Sequence, residues 1–455
     1  MRILVLGGGA VGTMVSRRLV QEGNEVVIVE QRRDCCELLE ENLDAKIVQG
    51  SASSIRVLER AGIREAEMLI AVTSSDEANV LGCLIAERHS NVRIKVARLR
   101  SHEVDGWRKI FDSSGLKVDL VINPDRETAD RILRVIGLPG ISDVLEFAEG
   151  RVRLVGMNVE PDNWVVGKSM AELDRSSPPK NSLMAIIFRG RRTLIPRGGD
   201  RLQAGDHVYI VCPAAETESV FRFMGVQLPK KVERVFIVGG RQLGIEAARR
   251  LERRGVRVKL FERDPEQCRK LSTLVESTVV VHGDGTDERV LTEHAVEHVD
   301  AYLALTAESE VNIIASLLSK RLGARKAVAL VNRLEFLPLA QRLGINSSFS
   351  TRVAAVDRIL QFVRSGHVLS VTTLREEEAE AIELLATPGS RFVGRSLREI
   401  RLPAGTVVGA VSRPSGEVLV PRGDAVIQAG DRVIFFCLES LVPYLESAFL
   451  REDRR

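Results

Sequence analysis

Residues Ile3–Gln31 read ILVLGGGAVGTMVSRRLVQEGNEVVIVEQ, and a close variant returns at Val235–Arg263 as VFIVGGRQLGIEAARRLERRGVRVKLFER. The shift is 232 residues, and it sets Gly7 on Gly239, Gly12 on Gly244 and Glu30 on Glu262. Each stretch runs from a short apolar segment through a glycine turn into helically spaced residues, then into a second apolar segment ending on a carboxylate. That order is strand, turn, helix, strand. Working outward, and after a one-residue slip, VQGSAS around Gly50 matches VHGDGT around Gly283, and AVTSSDEAN from Ala71 matches ALTAESEVN from Ala304. Further on, VGKSMAEL from Val166 pairs with VGRSLREI from Val393, and IPRGGDRLQAGDHVYIV from Ile195 pairs with VPRGDAVIQAGDRVIFF from Val420. The chain is a duplication of a two-domain unit.

The first module of each unit alternates strands with helices, which implies an α/β domain with a parallel, doubly wound, Rossmann-like sheet. The second module has short alternating strands, one amphipathic helix near MAEL or LREI, and a Gly-Asp turn (Gly205-Asp206, Gly430-Asp431) before a final strand. It is expected to be a small α+β domain. The expected domains are 1–124, 140–225, 230–352 and 368–455, with boundaries near 124–140, 225–232 and 350–370. Amphipathic helices from Arg126 and Arg352 are expected to cross from the first module to the second.

Length and composition agree with this. At ~150 residues per domain, 455 residues suggest about three domains, and the repeat replaces that figure with four. Lys plus Arg is 65 against 62 for Asp plus Glu, a net charge of +3, which argues against a nucleic-acid binder. A 44% hydrophobic and 28% charged chain is globular rather than disordered. Six cysteines without C-x-x-C spacing read as free thiols in a reducing compartment. No apolar run approaches the ~20 residues of a membrane span, and MRILVLGGG is too short for a signal peptide. A cytoplasmic location is expected.

Gly7-Gly8-Gly9-Ala10-Val11-Gly12 fits G-x-G-x-x-G, after a strand and opening a helix. Gly7 permits a tight turn, Gly9 lets the backbone approach a pyrophosphate, and Gly12 lets the helix pack close to the sheet. The helix N-terminus then offers N–H groups to the phosphates. Glu30, at the end of the second strand, is placed to accept the ribose hydroxyls. Its charge favours NAD over NADP, with Arg32 and Arg33 nearby to temper that preference. In the second copy Gly239, Gly244 and Glu262 persist, but Arg241 replaces the middle glycine. Its side chain either obstructs a pyrophosphate or supplies a guanidinium to a nucleotide's phosphates.

Other features carry less chemistry. His294–His298, HAVEH, spells H-x-x-E-H, a zinc pattern that needs both histidines on one helix. The repeat places it in a loop instead, and no metal site is expected. The basic stretch Arg249–Lys259, RRLERRGVRVK, reads as a solvated helix face, with contact to an acidic partner as the alternative. Cys35 and Cys36 fall on a helix. Neither small domain offers an acid or base to set against a nicotinamide, so no catalytic residue is expected.

The markers GGGAVG, IVQGSAS, AVTSSDEAN, FAEGRV, GDGT and the doubled QAGD carry a resemblance over the whole chain. It resembles the TrkA family of Trk-type potassium uptake regulators, tandem proteins of two units that regulate potassium conductance (RCK units). The resemblance implies binding of NAD(H), with ATP or ADP as further nucleotides. It implies a potassium-translocating membrane subunit as partner and a peripheral position on the inner face of the cell membrane, reached through protein contacts. It also implies self-association, four tandem chains forming a ring of eight RCK units. By resemblance, Gly7, Gly8, Gly9, Ala10 and Val11 would hold phosphates and Glu30 the ribose. Thr73, Ser74 and Arg98 would line the same site. Gly239, Gly240, Arg241, Gln242, Leu243, Glu262 and Thr306 would form the second, with Asn332 where the first has Arg98. The rival readings are an NAD-dependent oxidoreductase and a nucleotide-sensing module of another transporter.

Overall fold

Short strands apolar along their whole length need both faces covered, which a parallel sheet achieves by sending a helix across after each strand. The first copy does this in the computed structural model of the chain. The structure describes residues 1–100, 106, 107, 109, 111, 115–138, 140–190, 192–226, 231–345, 347–363, 368–374 and 379–450. Parts of all three expected boundaries, 139, 227–230 and 364–367, lie outside the described residues. The chain divides into two units, residues 1–128 with 350–363, and residues 129–349 with 364–455.

In the first unit β1 (Arg2–Leu6), α1 (Ala10–Gln21), β2 (Glu25–Glu30), α2 (Arg33–Asn42), β3 (Lys46–Gln49), α3 (Ile55–Arg60), β4 (Met68–Ala71), α4 (Asp76–His89), β5 (Ile94–Arg98) and β6 (Leu120–Ile122) follow in turn. The parallel sheet has the order β3-β2-β1-β4-β5-β6. Strand order reverses between β1 and β4, where sheets of this kind open a crevice at their carboxyl ends.

The helix Thr351–Val363, from the end of the second copy, belongs to this first unit. Its Ala355, Val356, Ile359 and Leu360 are buried against Ile3, Val5, Val15 and Leu19. The matching helix Pro124–Val135 is capped by Asn123, whose Oδ1 accepts from the Asp125 and Arg126 amides at 3.1 and 3.0 Å. From Ala129 onward it packs in the second unit, with Ile132, Leu133 and Val135 against Ile237, Leu243, Ala247 and Leu251. Each copy's connecting helix thus closes the other copy's sheet. The amphipathic pattern foretells the helices but not their destination.

In the second unit β7 (Ile141–Phe147), β8 (Val152–Asn158), β9 (Leu183–Arg189), β10 (Arg192–Leu194) and β11 (His207–Pro213) form an antiparallel sheet, order β10-β9-β11-β8-β7. The second parallel sheet contains β12 (Arg234–Val238), β13 (Arg257–Glu262), β14 (Val279–His282), β15 (Ala301–Ala304), β16 (Ala327–Leu330) and β17 (Ser347–Phe349), ordered like the first. Then β18 (Val368–Leu374), β19 (Ala379–Leu385), β20 (Thr406–Ser412), β21 (Val418–Leu419) and β22 (Arg432–Leu438) repeat the antiparallel sheet. One face of each antiparallel sheet packs on the other through Phe147, Phe188 and Tyr209 against Ala381, Ala410 and Phe436. Among the described residues no helix is long and apolar enough to cross a membrane.

Three expectations change. The MAEL segment is a helix, Met170–Arg175, opened by a capping box between Ser169 and Glu172. Its LREI counterpart, Leu397–Ile400, forms turns, and Pro403 bars any extension into a longer helix. The final strand of each small domain is followed by a helix, Thr217–Phe223 and Val442–Leu450, which the reading lacked. The Arg-rich helix is not simply a solvated face. Arg250 bonds Glu246 and Asp130, and the Arg254 guanidinium donates to the Leu133 carbonyl at 3.2 Å, so these arginines hold the connecting helix.

Lys326 secures the end of that helix. Its Nζ donates to the carbonyls of Val135, Leu138 and Ile141 at 2.6, 2.9 and 2.7 Å. Burial pulls its pKa from 10.5 down to about 7, with Asp143 opposing the shift. The cost of burying the ammonium is therefore fully present below pH 7 and is relieved as pH rises from there towards 10.5. Lys326→Met should remove that slope. Chemical denaturation of both proteins across this pH range should show the wild type gaining stability relative to the variant as pH rises.

Candidate functional site

At the carboxyl end of β1 the chain must turn sharply and start α1 almost in contact with the sheet. Gly7 sits at φ +103°, and a Cβ there would lie 2.9 Å from the Thr73 backbone. Gly12 is tighter still, since a Cβ would meet the Gly7 carbonyl oxygen at 1.9 Å. The Gly8 amide donates to Glu30 Oε2 at 2.7 Å, and the Arg32 amide donates to Oε1 at 2.8 Å. The Glu30 carboxylate is thus held by two backbone donors at the lip of the crevice, with lone pairs left for further donors. Gly9 differs from its neighbours. Its φ of −72° is open to any residue, and nothing lies within 4 Å of where its Cβ would be. Absence of a side chain at Gly9 serves open space and not the turn.

The second copy repeats the frame. Gly239 has φ +108°, a Cβ on Gly244 would meet the Gly239 oxygen at 2.0 Å, and the Gly240 amide donates to Glu262 Oε2 at 2.9 Å. Arg241 takes the Gly9 conformation, φ −84° and ψ −177° against −72° and −174°. Its exposed side chain lines a cleft of about 170 Å³ with Gly239, Glu262, Arg263 and Thr306. Gln242 is half-buried and Leu243 is in the core, as Val11 is in the first copy, while Ala10 is exposed.

The TrkA-N domain family matches residues 3–124 and 235–351, and the TrkA-C domain family matches 154–225 and 381–450. The "Trk system potassium uptake protein TrkA" of Halomonas elongata is 36% identical over 443 residues, 97% of this chain and 96% of its own. The protein of the same name from Haemophilus influenzae is 34% identical over 455 residues, 99% of this chain and 98% of its own.

The chain belongs to the TrkA family.

That membership places it in potassium transport and not among enzymes. The fold is shared with a structure described as the GsuK RCK domain, at a TM-score of 0.60 and 18% identity, covering 98% of this chain and 94% of that one. It is shared also with the "GsuK channel bound to NAD", at a TM-score of 0.58 and 19% identity, covering 98% and 78%.

In this TrkA-family chain the other sequence-derived positions gather at the same crevice of the first sheet. Thr73 follows β4, its hydroxyl and amide both bonded to Asn79 Oδ1 at 2.8 and 2.9 Å. Ser74 is exposed beside it. The Arg98 guanidinium donates to the Thr73 carbonyl at 2.6 Å. Burial first, then repulsion from Arg100, pulls Arg98 down to about 10, so it stays charged at neutral pH. Register corrects one pairing. Ala71 lies beside Ala97 and Ala304 beside Ala329, so Arg98 corresponds to Leu330 and not to Asn332. Asn332 corresponds to Arg100: the amides of both are held by the first residue of the preceding helix, Ser309 and Asp76. The second site therefore lacks the cation of the first at this position.

The reading missed Asn79 and Asn312. Each is buried, and each ties the β4 or β15 end to its neighbour, through Arg98 and Leu330 carbonyls at 2.8 Å. The signal was available, because both asparagines close the matched AVTSSDEAN and ALTAESEVN segments. The HAVEH segment does not form the helix that zinc would need: Ala295 sits at φ +62°, and His294 faces Lys259 Nζ at 3.2 Å.

Gly12→Ala should destabilise the first unit by about 1–3 kcal/mol, because the added methyl has only the rigid Gly7 carbonyl to displace. Thermal denaturation should show the loss, whereas Gly9→Ala should leave the transition unchanged.

Proposed function

We propose that the chain is a regulatory subunit that binds NAD(H) in its first crevice and a shorter adenine nucleotide, ATP or ADP, in its second, and that it gates a potassium-translocating membrane subunit. One observation carries the reading. The two crevices share the glycine turn and the bonded carboxylate, yet only the first has open space where a pyrophosphate would lie against the loop. Gly9, Ala10 and Val11 would hold the pyrophosphate through backbone N–H groups at the start of α1, while the Gly8 amide stays on Glu30 and orients that carboxylate towards the ribose. Thr73, Ser74 and Arg98 would close the site. In the second crevice Arg241 blocks that approach for a dinucleotide and offers its guanidinium to terminal phosphates, beside Gly239, Gly240, Gln242, Leu243, Gly244, Glu262 and Thr306.

A ligand shifts a regulator only through unequal affinity for two of its arrangements. We propose that the arrangements are those of a ring of eight such units in four chains, docked through protein contacts on the inner face of the membrane. The relatives' name, potassium uptake protein, supports the ion.

Calorimetric titration of the full chain with NADH, NAD, ATP and ADP tests the assignment. Gly9→Arg keeps an allowed backbone, so it should weaken NADH at least about tenfold without unfolding the protein. Arg241→Gly should create a second NADH site. Unchanged NADH affinity in Gly9→Arg would place the nucleotide elsewhere. Glu30→Ala should cost on the order of 1.5–3 kcal/mol in NADH binding, since it removes a charged acceptor and frees the Gly8 amide.

A further inference from the structure

The duplication supplies its own control for a cavity that no nucleotide function explains. In the first small domain a cleft of about 310 Å³ opens between the sheet and its two helices, lined by Met170, Met184, Ile210, Phe223 and Met224 and walled by Pro179. Register and the Gly-Asp turns set Ile210 against Phe435 and Met224 against Phe449 in the second copy. There Phe435, Phe449 and Phe392, the counterpart of Val165, pack together in tilted and edge-to-face pairs, with ring centroids 4.8 to 6.2 Å apart. The second copy thus carries rings where the first has Ile210 and Met224 beside open space, while Phe223 of the first lining gives way to Ala448. The first copy also has more chain between Val166 and Met184 than the second has between Val393 and Val408, and the extra chain brings Pro178, Pro179 and Ser182 to the rim.

We propose that this cleft is a binding site for a small, flat aromatic molecule, seated where the second copy places its phenyl rings. Flexible methionines adapt to such a ring and make favourable sulfur–aromatic contacts, and a mostly apolar pocket with a few polar groups at its mouth is the usual form of a small-molecule site. Ser182 and Arg197 at the rim offer hydrogen bonds to a polar substituent.

The probe is 5-fluoroindole, followed by fluorine NMR on the full chain with and without excess NADH. Expected is saturable binding that NADH does not displace. It should weaken about tenfold or more in Ile210→Phe/Met224→Phe, which copies the second domain, and in Ser182→Trp, which blocks the mouth without touching the core. Should the double variant fail to fold, Ser182→Trp decides. Absence of saturable binding, displacement by NADH, or undiminished binding in Ser182→Trp would overturn the proposal.

Discussion

The crevice in each copy depends on one contact: the start of a helix pressed against the carbonyl of the residue that follows the first strand. Gly12 against Gly7, and Gly244 against Gly239, leave no room for even a methyl group. That closeness fixes where the helix N-terminus points and where the loop amides lie. It also brings Gly8 and Gly240 within reach of the carboxylates of Glu30 and Glu262. The carboxylate is positioned by the backbone it faces, so turn and acidic residue form one device. Asn79 and Asn312 then brace the far wall by joining the ends of two neighbouring strands.

Because the device occurs twice, differences between copies separate what the fold requires from what a ligand requires. Gly7, Gly8 and Gly12 are retained as Gly239, Gly240 and Gly244, each under steric compulsion. Gly9 has no such compulsion and becomes Arg241. Arg98 becomes Leu330, so the second crevice loses a cation on one wall and gains one on the other. The small domains diverge in the same manner, one closing its interior with three phenylalanines and the other leaving it open.

Much of this was legible in the amino-acid order because it rests on local rules. Apolar strand segments, the glycine spacing and the terminal carboxylate each announce themselves within about thirty residues, and the duplication confirms them. What was not legible depends on contacts distant in sequence. The amphipathic pattern of Pro124–Val135 and Thr351–Val363 shows that each needs an apolar partner, but not that each finds it on the other copy's sheet. Arg250 and Arg254 look like solvated charges until that helix arrives. The LREI segment has the apolar spacing of its MAEL twin, yet it forms turns, so the spacing alone does not decide the helix. Strand register, which residue spacing alone does not carry, sets Leu330 and not Asn332 in the place of Arg98.

The central claim is that two crevices of one design receive different ligands. Hydrogen–deuterium exchange measured peptide by peptide, with and without saturating NADH, tests it most directly. The account predicts that NADH slows exchange in the loop and helix start at Gly7–Thr13 and leaves Gly239–Ile245 unchanged. Equal protection of both loops, or protection of the second alone, would contradict it.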